Sequence, residues 1–524
     1  MADKTQFLKH TLIFGIGGTL AQIAPLILFP LYTNYLTPAD YGILDVITRV
    51  SEVINVTLMI GGIRLAAIVF YRQAESEEER RTIAVTLSLF LWGLVGLAIL
   101  VCIVFSTYFD CFLKTNNPQL LAFGMTVALM ETIIAIPMTL IQARLESIRY
   151  VLISWTVMFL RVGLCVLFVA VLHWGIWGIF ASSFCTFALF GIILNVRECL
   201  IGSFYPDFSK WKDVLKFALP FVPAGLLYFI TSNLDRYMLI NHGPYPDADS
   251  AFAVIGIWAV AVRLIDISGT FGSGPIKQVW ASVIYDVRKQ DDAPSAFGHF
   301  ALRMLFVHIF FVLGTCIFAP EIIRGICAPA YYSAVVLIPI CAAQSIINIF
   351  IYNNEQPLYV EKKTYLKIII DLAGLLFVFM FLYYLIPYGI VGVALAVLFK
   401  QIAVGIVQYC ISQRVFPIRY PFGRTALLLG ITAAVYWISI LAGNAVSLGN
   451  VTSEQLSEFS KRERIWFLLL NLNYLTFLAK AGLVFIWFVL VWKSGILSKD
   501  DKEFAAGMFK KCLHKLPVLR RFAP

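Results

Sequence analysis

Long apolar runs alternate with short charged stretches along this chain, and each run is about twenty residues, the length a helix needs to cross a hydrocarbon core. Fourteen such runs can be marked. Their approximate cores are 12–32, 43–70, 83–107, 119–143, 151–172 and 175–195, then 215–240, 252–274, 298–319, 332–353, 366–386 and 389–411, and last 425–446 and 466–492. The runs that meet at 172–175 and 386–389 are joined by tight turns around Gly175 and Pro387. The pattern predicts an all-α polytopic membrane protein with about fourteen transmembrane helices.

Inside two of these runs a polar pattern recurs. Gly42, Ile43, Val46, Arg49 and Glu52 return 214 residues later as Gly256, Ile257, Val260, Arg263 and Asp266. An Arg and an acid three residues on share one helical face. A charge at bilayer depth costs about 3 kcal/mol or more, so such residues face a protein interior or a water-filled cavity. The charged stretches that follow, 72–81 and 286–292, keep nearly the same offset. Six runs per half is an even number, so the halves share one orientation, which implies two six-helix lobes related by an axis along the membrane normal. The expected organisation is an N-lobe over 1–212, a C-lobe over 213–412, and two further spans with a basic tail over 413–524. Pro25, Pro30, Pro220 and Pro223 make both lobe-opening helices bendable, since each removes a backbone donor.

Composition narrows the class. A chain 60% hydrophobic and only 14% charged is not a soluble domain. The ten cysteines stand singly with no C-x-x-C, and the six histidines show no metal spacing, so no metal site, redox pair or cofactor is expected. No P-loop, H-E-x-x-H or nucleophile elbow occurs, which leaves ATP-driven pumping and hydrolysis without a basis in the sequence. Asp3, Lys4 and Lys9 precede the first run and no small-residue cleavage site follows, so that run reads as a retained span.

Placing the amino terminus in the cytoplasm puts 28 Lys and Arg residues inside and 5 outside, with the remaining 8 in the spans. Both termini are then cytoplasmic. The net charge of +10 follows from this topology and needs no nucleic-acid partner. The basic tail is expected near anionic headgroups.

The stretch Leu36, Thr37, Pro38, Ala39, Asp40, Tyr41, Gly42 resembles the L-x-P-x-D-Y-G signature of Wzx-type polysaccharide flippases, members of the multidrug/oligosaccharidyl-lipid/polysaccharide exporter superfamily. Asn233 to Tyr237 resembles that family's N-x-x-D-R-Y element in the seventh span, and Tyr331, Ala334 and Pro339 resemble the opening of its tenth. The resemblance covers roughly the first 410 residues. It implies twelve or fourteen spans, two six-helix lobes around a central cavity, and movement of isoprenoid-linked oligosaccharides between leaflets. It also implies a polysaccharide pathway in the inner (plasma) membrane, with polymerase and glycosyltransferases as possible partners.

The charged residues within spans fit such a substrate. Crossing the bilayer strips a pyrophosphate of its water at large cost, and guanidinium groups lower that barrier through bidentate hydrogen bonds. The chain offers Arg49, Arg64, Arg161, Arg236, Arg263, Lys400 and Lys480 as candidate substrate-binding cations. Arg49 with Glu52 and Arg263 with Asp266 are equally read as self-neutralised structural pairs. Glu131 has no basic neighbour on its own helix and, with Asp235, Asp266 and Glu52, is a candidate for ion coupling. Adjacent positions diverge by about 100° on a helix, so Asp235 and Arg236 are not expected to face one partner. Arg303 and Asp371 are expected to snorkel to the interface.

The sequence thus reads as a flippase for polyprenyl-pyrophosphate-linked oligosaccharides working by alternating access with ion coupling, and not as an enzyme. One rival is a cation/proton multidrug antiporter of the same superfamily, which favours a carboxylate-rich cavity. Another is a membrane glycosyltransferase or polymerase, which needs a larger external loop than 447–465.

Overall fold

The computed structural model describes residues 24–57, 60–200, 221–445 and 474–496, with a few isolated positions between 207 and 219. The opening of the first run, Pro220, Trp211, Trp466, the loop 447–465 and the tail beyond 496 lie outside the described residues. Among the described residues 89% are helical and no strand occurs, so crossings there are made by helices.

In chain order the helices are α1 (Ala24–Tyr35), α2 (Pro38–Thr57), α3 (Ile60–Gln73), α4 (Glu77–Val104), α5 (Ser106–Leu113), α6 (Pro118–Ile133), α7 (Ala135–Ala143), α8 (Ser147–Cys165) and α9 (Gly175–Asn195). They continue as α10 (Phe221–His242), α11 (Ala248–Gly272), α12 (Gly274–Val287), α13 (Ala293–Ile326), α14 (Ile338–Val360), α15 (Leu366–Leu385), α16 (Gly389–Val415), α17 (Phe422–Ala445) and α18 (Tyr474–Lys493). Nine helical stretches among the described residues are long and apolar enough to cross a membrane. One of them, Leu366–Val415, carries two of the predicted runs, because only the turn Ile386–Tyr388 separates α15 from α16. The number fourteen remains an expectation of the sequence. Both tight turns place glycine at positive φ, Gly175 at 54° and Gly389 at 64°, where a side chain would be strained.

Local chemistry explains the helix starts. Thr37 and Asp40 form a capping box: the Asp40 amide donates to Thr37 Oγ1 at 3.1 Å and the Thr37 amide to Asp40 Oδ2 at 3.2 Å, with Pro38 at the first helical position. Ser76 caps α4 by accepting from the Glu79 amide, and Glu77, Glu78 and Glu79 complement the helix dipole. Asp247 opens α11, where the hydroxyl and amide of Ser250 hold its carboxyl below the usual carboxylate range. A depressed carboxyl keeps its cap at neutral pH and loses it only as pH falls through the lowered value. Helices α6 and α7 are divided at Ile134, because Pro137 cannot donate to the Ile133 carbonyl. Asn195 Nδ2 caps that freed carbonyl at 3.0 Å, and Ser88 Oγ fixes Asn195 at 2.5 Å.

The chain packs as two compact units. The first takes residues 1–263, 326–340 and 364–407. Its described interior includes Ile47, Leu121, Met125, Ile136, Leu140 and Ile141, all fully buried. The resemblance motifs meet here: Tyr331 OH donates to the Leu36 carbonyl at 3.1 Å, the Ala328 amide to the Thr33 carbonyl at 3.2 Å, and the Tyr331 and Tyr41 rings pack edge-on at 6.1 Å. The second unit takes 264–325, 341–363 and 408–524. Its interior is built by α13, α17 and α18, where Phe306 stacks on Trp487 at 5.6 Å and Trp487 Nε1 donates to Thr432 Oγ1 at 2.9 Å.

Within the first unit the two copies of the repeat touch. A Cβ on Gly42 would meet the Phe252 carbonyl oxygen at 1.9 Å, and one on Gly256 would meet the Pro38 carbonyl oxygen at 1.9 Å. Shifting by 214 residues turns Pro38 into Phe252 and Gly42 into Gly256, so these are one contact seen from both sides, as about a local twofold axis. Small residues permit such backbone proximity between apolar helices.

Replacing Gly256 by Leu forces α2 and α11 apart, and the expected result is a melting temperature lowered by a few degrees in purified protein. Gly314→Ala is the control, since nothing lies within 4 Å of an added Cβ there, and it should melt at or above the wild-type temperature. Identical melting of Gly256→Leu and wild type would refute the close crossing.

Candidate functional site

The crossing of α2 and α11 positions the charged groups around it. Arg236, on α10, is 8% exposed, and its guanidinium is closed on three sides. Nε donates to Asp45 Oδ2 of α2 at 3.2 Å, Nη1 donates to Asp235, and the group lies 4.3 Å over the Trp258 ring of α11. The side chain thus curls back to its own neighbour: adjacent Cα positions diverge on α10, but the long Arg236 stem returns to Asp235. An unpartnered guanidinium would be intolerable at this burial, so its pairing with two carboxylates and a π face is what allows it there.

Asp45 is shared. Its Oδ1 lies 3.6 Å from Arg49 Nε, while Arg49 Nη1 lies 3.7 Å from Glu52. Both contacts are long, Nε makes no hydrogen bond, and the Arg49 side chain is one-third exposed. Arg49 Nε is sealed from solvent, and it is the exposed part of the guanidinium, held only by these long contacts, that stays open to another acceptor. Its repeat counterpart, Arg263 of α11, is exposed and makes no ion pair among the described residues.

The other candidate cations differ in how far the protein satisfies them. Arg64 of α3 is exposed, with Nε 3.4 Å from Thr139 Oγ1. Arg161 of α8 donates to Ser183 Oγ at 3.0 Å and lies 5.3 Å over the Phe187 ring. Lys400 of α16 donates to the Thr231 carbonyl at 3.4 Å. Lys480 of α18 is 9% exposed and pairs with Glu321 of α13 at 2.5 Å. Arg64, Arg161 and Lys400 thus meet neutral acceptors, whereas Arg236 and Lys480 are neutralised.

Among the acids, Glu131 of α6 and Glu52 are exposed, Asp235 is occupied by Arg236, and Asp266 of α11 is exposed. Asp371, expected to snorkel outward, is instead buried on α15 and bound by Lys367 at 3.3 Å. No group of three or more metal-ligating side chains occurs among the described residues.

Asp45, Trp258 and Glu321 escaped the sequence reading. Asp45 had a signal, an acid one turn before Arg49, but its repeat position is Ala259, so a search for recurrence passes over it. Trp258 and Glu321 are tertiary partners with no local signature.

The sequence profile of polysaccharide biosynthesis proteins matches residues 7–268, half of this chain. No curated protein matches it. Among solved structures it is similar to one described as lipid II flippase MurJ in an inward closed conformation, at 15% identity, a TM-score of 0.63, and coverage of 93% of this chain and 100% of that one. It is also similar to a multidrug resistance MATE family transporter of the MOP superfamily in an inward-facing conformation, at 13% identity, a TM-score of 0.56, and coverage of 75% and 94%. A third likeness is to a MOP superfamily transporter from Pyrococcus furiosus, at 14% identity, a TM-score of 0.51, and coverage of 79% and 96%. At these identities the likeness is one of fold.

The shared role of Asp45 gives a graded expectation. Asp45→Ala removes an acceptor from a buried cation and should destabilise the protein by about 3 kcal/mol, read as a fall in melting temperature. Glu52→Ala opens a long, exposed contact and should cost at most about 1 kcal/mol. Equal losses would mean that Arg236 does not depend on Asp45.

Proposed function

The chain belongs to the polysaccharide biosynthesis protein family, and on that premise we propose that it flips a polyprenyl-pyrophosphate-linked oligosaccharide, a polysaccharide repeat unit, from the cytoplasmic to the outer leaflet by alternating access. The observation that carries this reading is the pair Arg49 and Arg263. They occupy the same register on the twin helices, each seven residues past a glycine of the crossing; Arg49 is held only by long contacts and Arg263 is exposed. Two guanidinium groups in that relation suit a pyrophosphate, whose oxygens accept bidentate hydrogen bonds.

Arg64, Arg161 and Lys400 face neutral acceptors rather than carboxylates and would add to a positive field along the path. Arg236 and Lys480 act instead as fasteners, the first tying α10 to α2 and the second α18 to α13. The isoprenoid tail stays in lipid. Coupling to a proton or sodium gradient is assigned to Glu131, an exposed carboxylate within α6, with Glu52, Asp266 and Asp235 as further candidates. The likeness in fold to a lipid II flippase supports movement of a lipid-linked headgroup. The excess of Lys and Arg on one side supports a multi-pass inner-membrane protein with both termini cytoplasmic, acting beside the polymerase and glycosyltransferases of its pathway. The likeness to multidrug transporters suits export of organic cations, but an arginine on each of the twin helices, Arg49 only loosely paired and Arg263 exposed, disfavours such substrates.

The test is flipping of a labelled pyrophosphate-linked oligosaccharide by purified protein in liposomes. Each of Arg49→Ala and Arg263→Ala should lower the rate about tenfold, the loss of one charge-assisted contact, while costing at most about 1 kcal/mol of stability. Undiminished flipping by both variants would make the two arginines structural. Exchange of organic cations for protons, with no flipping, would replace this reading by the antiporter.

A further inference from the structure

A cavity of about 610 Å³ lies in the first unit, away from the motif arginines, lined by Tyr71, Arg80, Arg81, Arg144, Arg197 and Glu198 among others. Its depth follows from the helices around it. The spans Glu77–Val104, Pro118–Ala143, Ser147–Val171 and Gly175–Glu198 each have one terminus at this place, so the cavity opens where hydrocarbon gives way to the headgroup layer.

Part of its lining is a fixed frame. Glu198, with a side chain 2% exposed, binds Arg144 Nη1 at 2.9 Å and also Arg149. Arg144 Nε donates to Tyr71 OH at 2.8 Å, and Arg144 and Arg80 flank the Tyr71 ring at 5.5 and 5.9 Å. Arg80 is held by Glu77 at 2.5 Å, and Glu146 by Arg149 at 2.8 Å. This frame consumes the acids. Arg81 is left exposed with no ion pair among the described residues, and Arg197, 68% exposed, reaches Glu198 only at 3.8 Å. Two guanidinium groups with open forks therefore share a walled cavity at the depth of lipid phosphates. Its volume lies within the range of small-molecule sites and exceeds the needs of a counterion.

We propose that this cavity binds a phosphate-bearing headgroup of an anionic membrane lipid, with Arg81 and Arg197 as its ligands. Guanidinium forks match phosphate oxygens bidentately, and basic pockets between membrane helices suit anionic headgroups. The lipid is a site occupant apart from the transported substrate, since neither arginine lies on the twin helices.

The test is native mass spectrometry of the full chain in neutral detergent, offered phosphatidylglycerol or phosphatidylcholine, with glycerol phosphate as a soluble competitor. Wild type should retain phosphatidylglycerol, and Arg81→Ala with Arg197→Ala should lower the retained fraction at least threefold while phosphatidylcholine stays equally weak on both. Displacement by glycerol phosphate at millimolar concentration would support the phosphate chemistry and point to a soluble ligand. Equal retention by wild type and the double variant would overturn the proposal. Should the double variant melt early, Arg81→Gln and Arg197→Gln tested singly give the same comparison.

Discussion

Burying a guanidinium in an apolar bundle is tolerable only when carboxylates and other acceptors surround it, and Arg236 is where this chain meets that constraint. To satisfy it, α10 draws Asp45 from α2 and the Trp258 ring from α11, so one side chain fastens three helices. The consequence reaches the candidate site. Because Asp45 is committed to Arg236 at 3.2 Å, Arg49 receives it only at 3.6 Å and keeps hydrogen-bonding capacity for something else. A structural ion pair thereby leaves its neighbouring cation available.

The glycine crossing supplies the matching geometry. Two backbones approach as closely as Gly42 and Gly256 allow, and each glycine faces a carbonyl of the other helix in equivalent fashion. Arg49 and Arg263 follow at the same spacing, so sequence duplication becomes a paired arrangement of charge. In an alternating-access cycle this contact is where α2 and α11 would part, and small residues allow parting without a large loss of interlocked side-chain packing.

Much of this was legible in the residues. Apolar runs pointed to an all-helical membrane protein, though not to the number of its spans or the break of the run 43–70 between α2 and α3, and Gly175 near the first tight turn reappears as a positive-φ residue. The repeat pointed to the twin helices without revealing that they touch. The signature from Leu36 to Gly42 became explicable piece by piece: Thr37, Pro38 and Asp40 start α2, Tyr41 packs on Tyr331, and Gly42 makes the crossing. Partners across helices were not legible. Glu321 against Lys480, Trp258 against Arg236 and Asn195 on the Ile133 carbonyl depend on which faces meet, and single-helix periodicity does not encode that.

If the proposed flipping holds, α2 and α11 separate at their crossing for the lipid-linked oligosaccharide to pass. The direct measurement is flipping by protein in which Ala39→Cys and Ala253→Cys, equivalent positions beside the crossing, are bridged by a short bifunctional thiol reagent, with the ten native cysteines replaced by Ser. Bridging is expected to stop flipping, and cleaving the bridge to restore it. Flipping at the unbridged rate in fully bridged protein would contradict that separation.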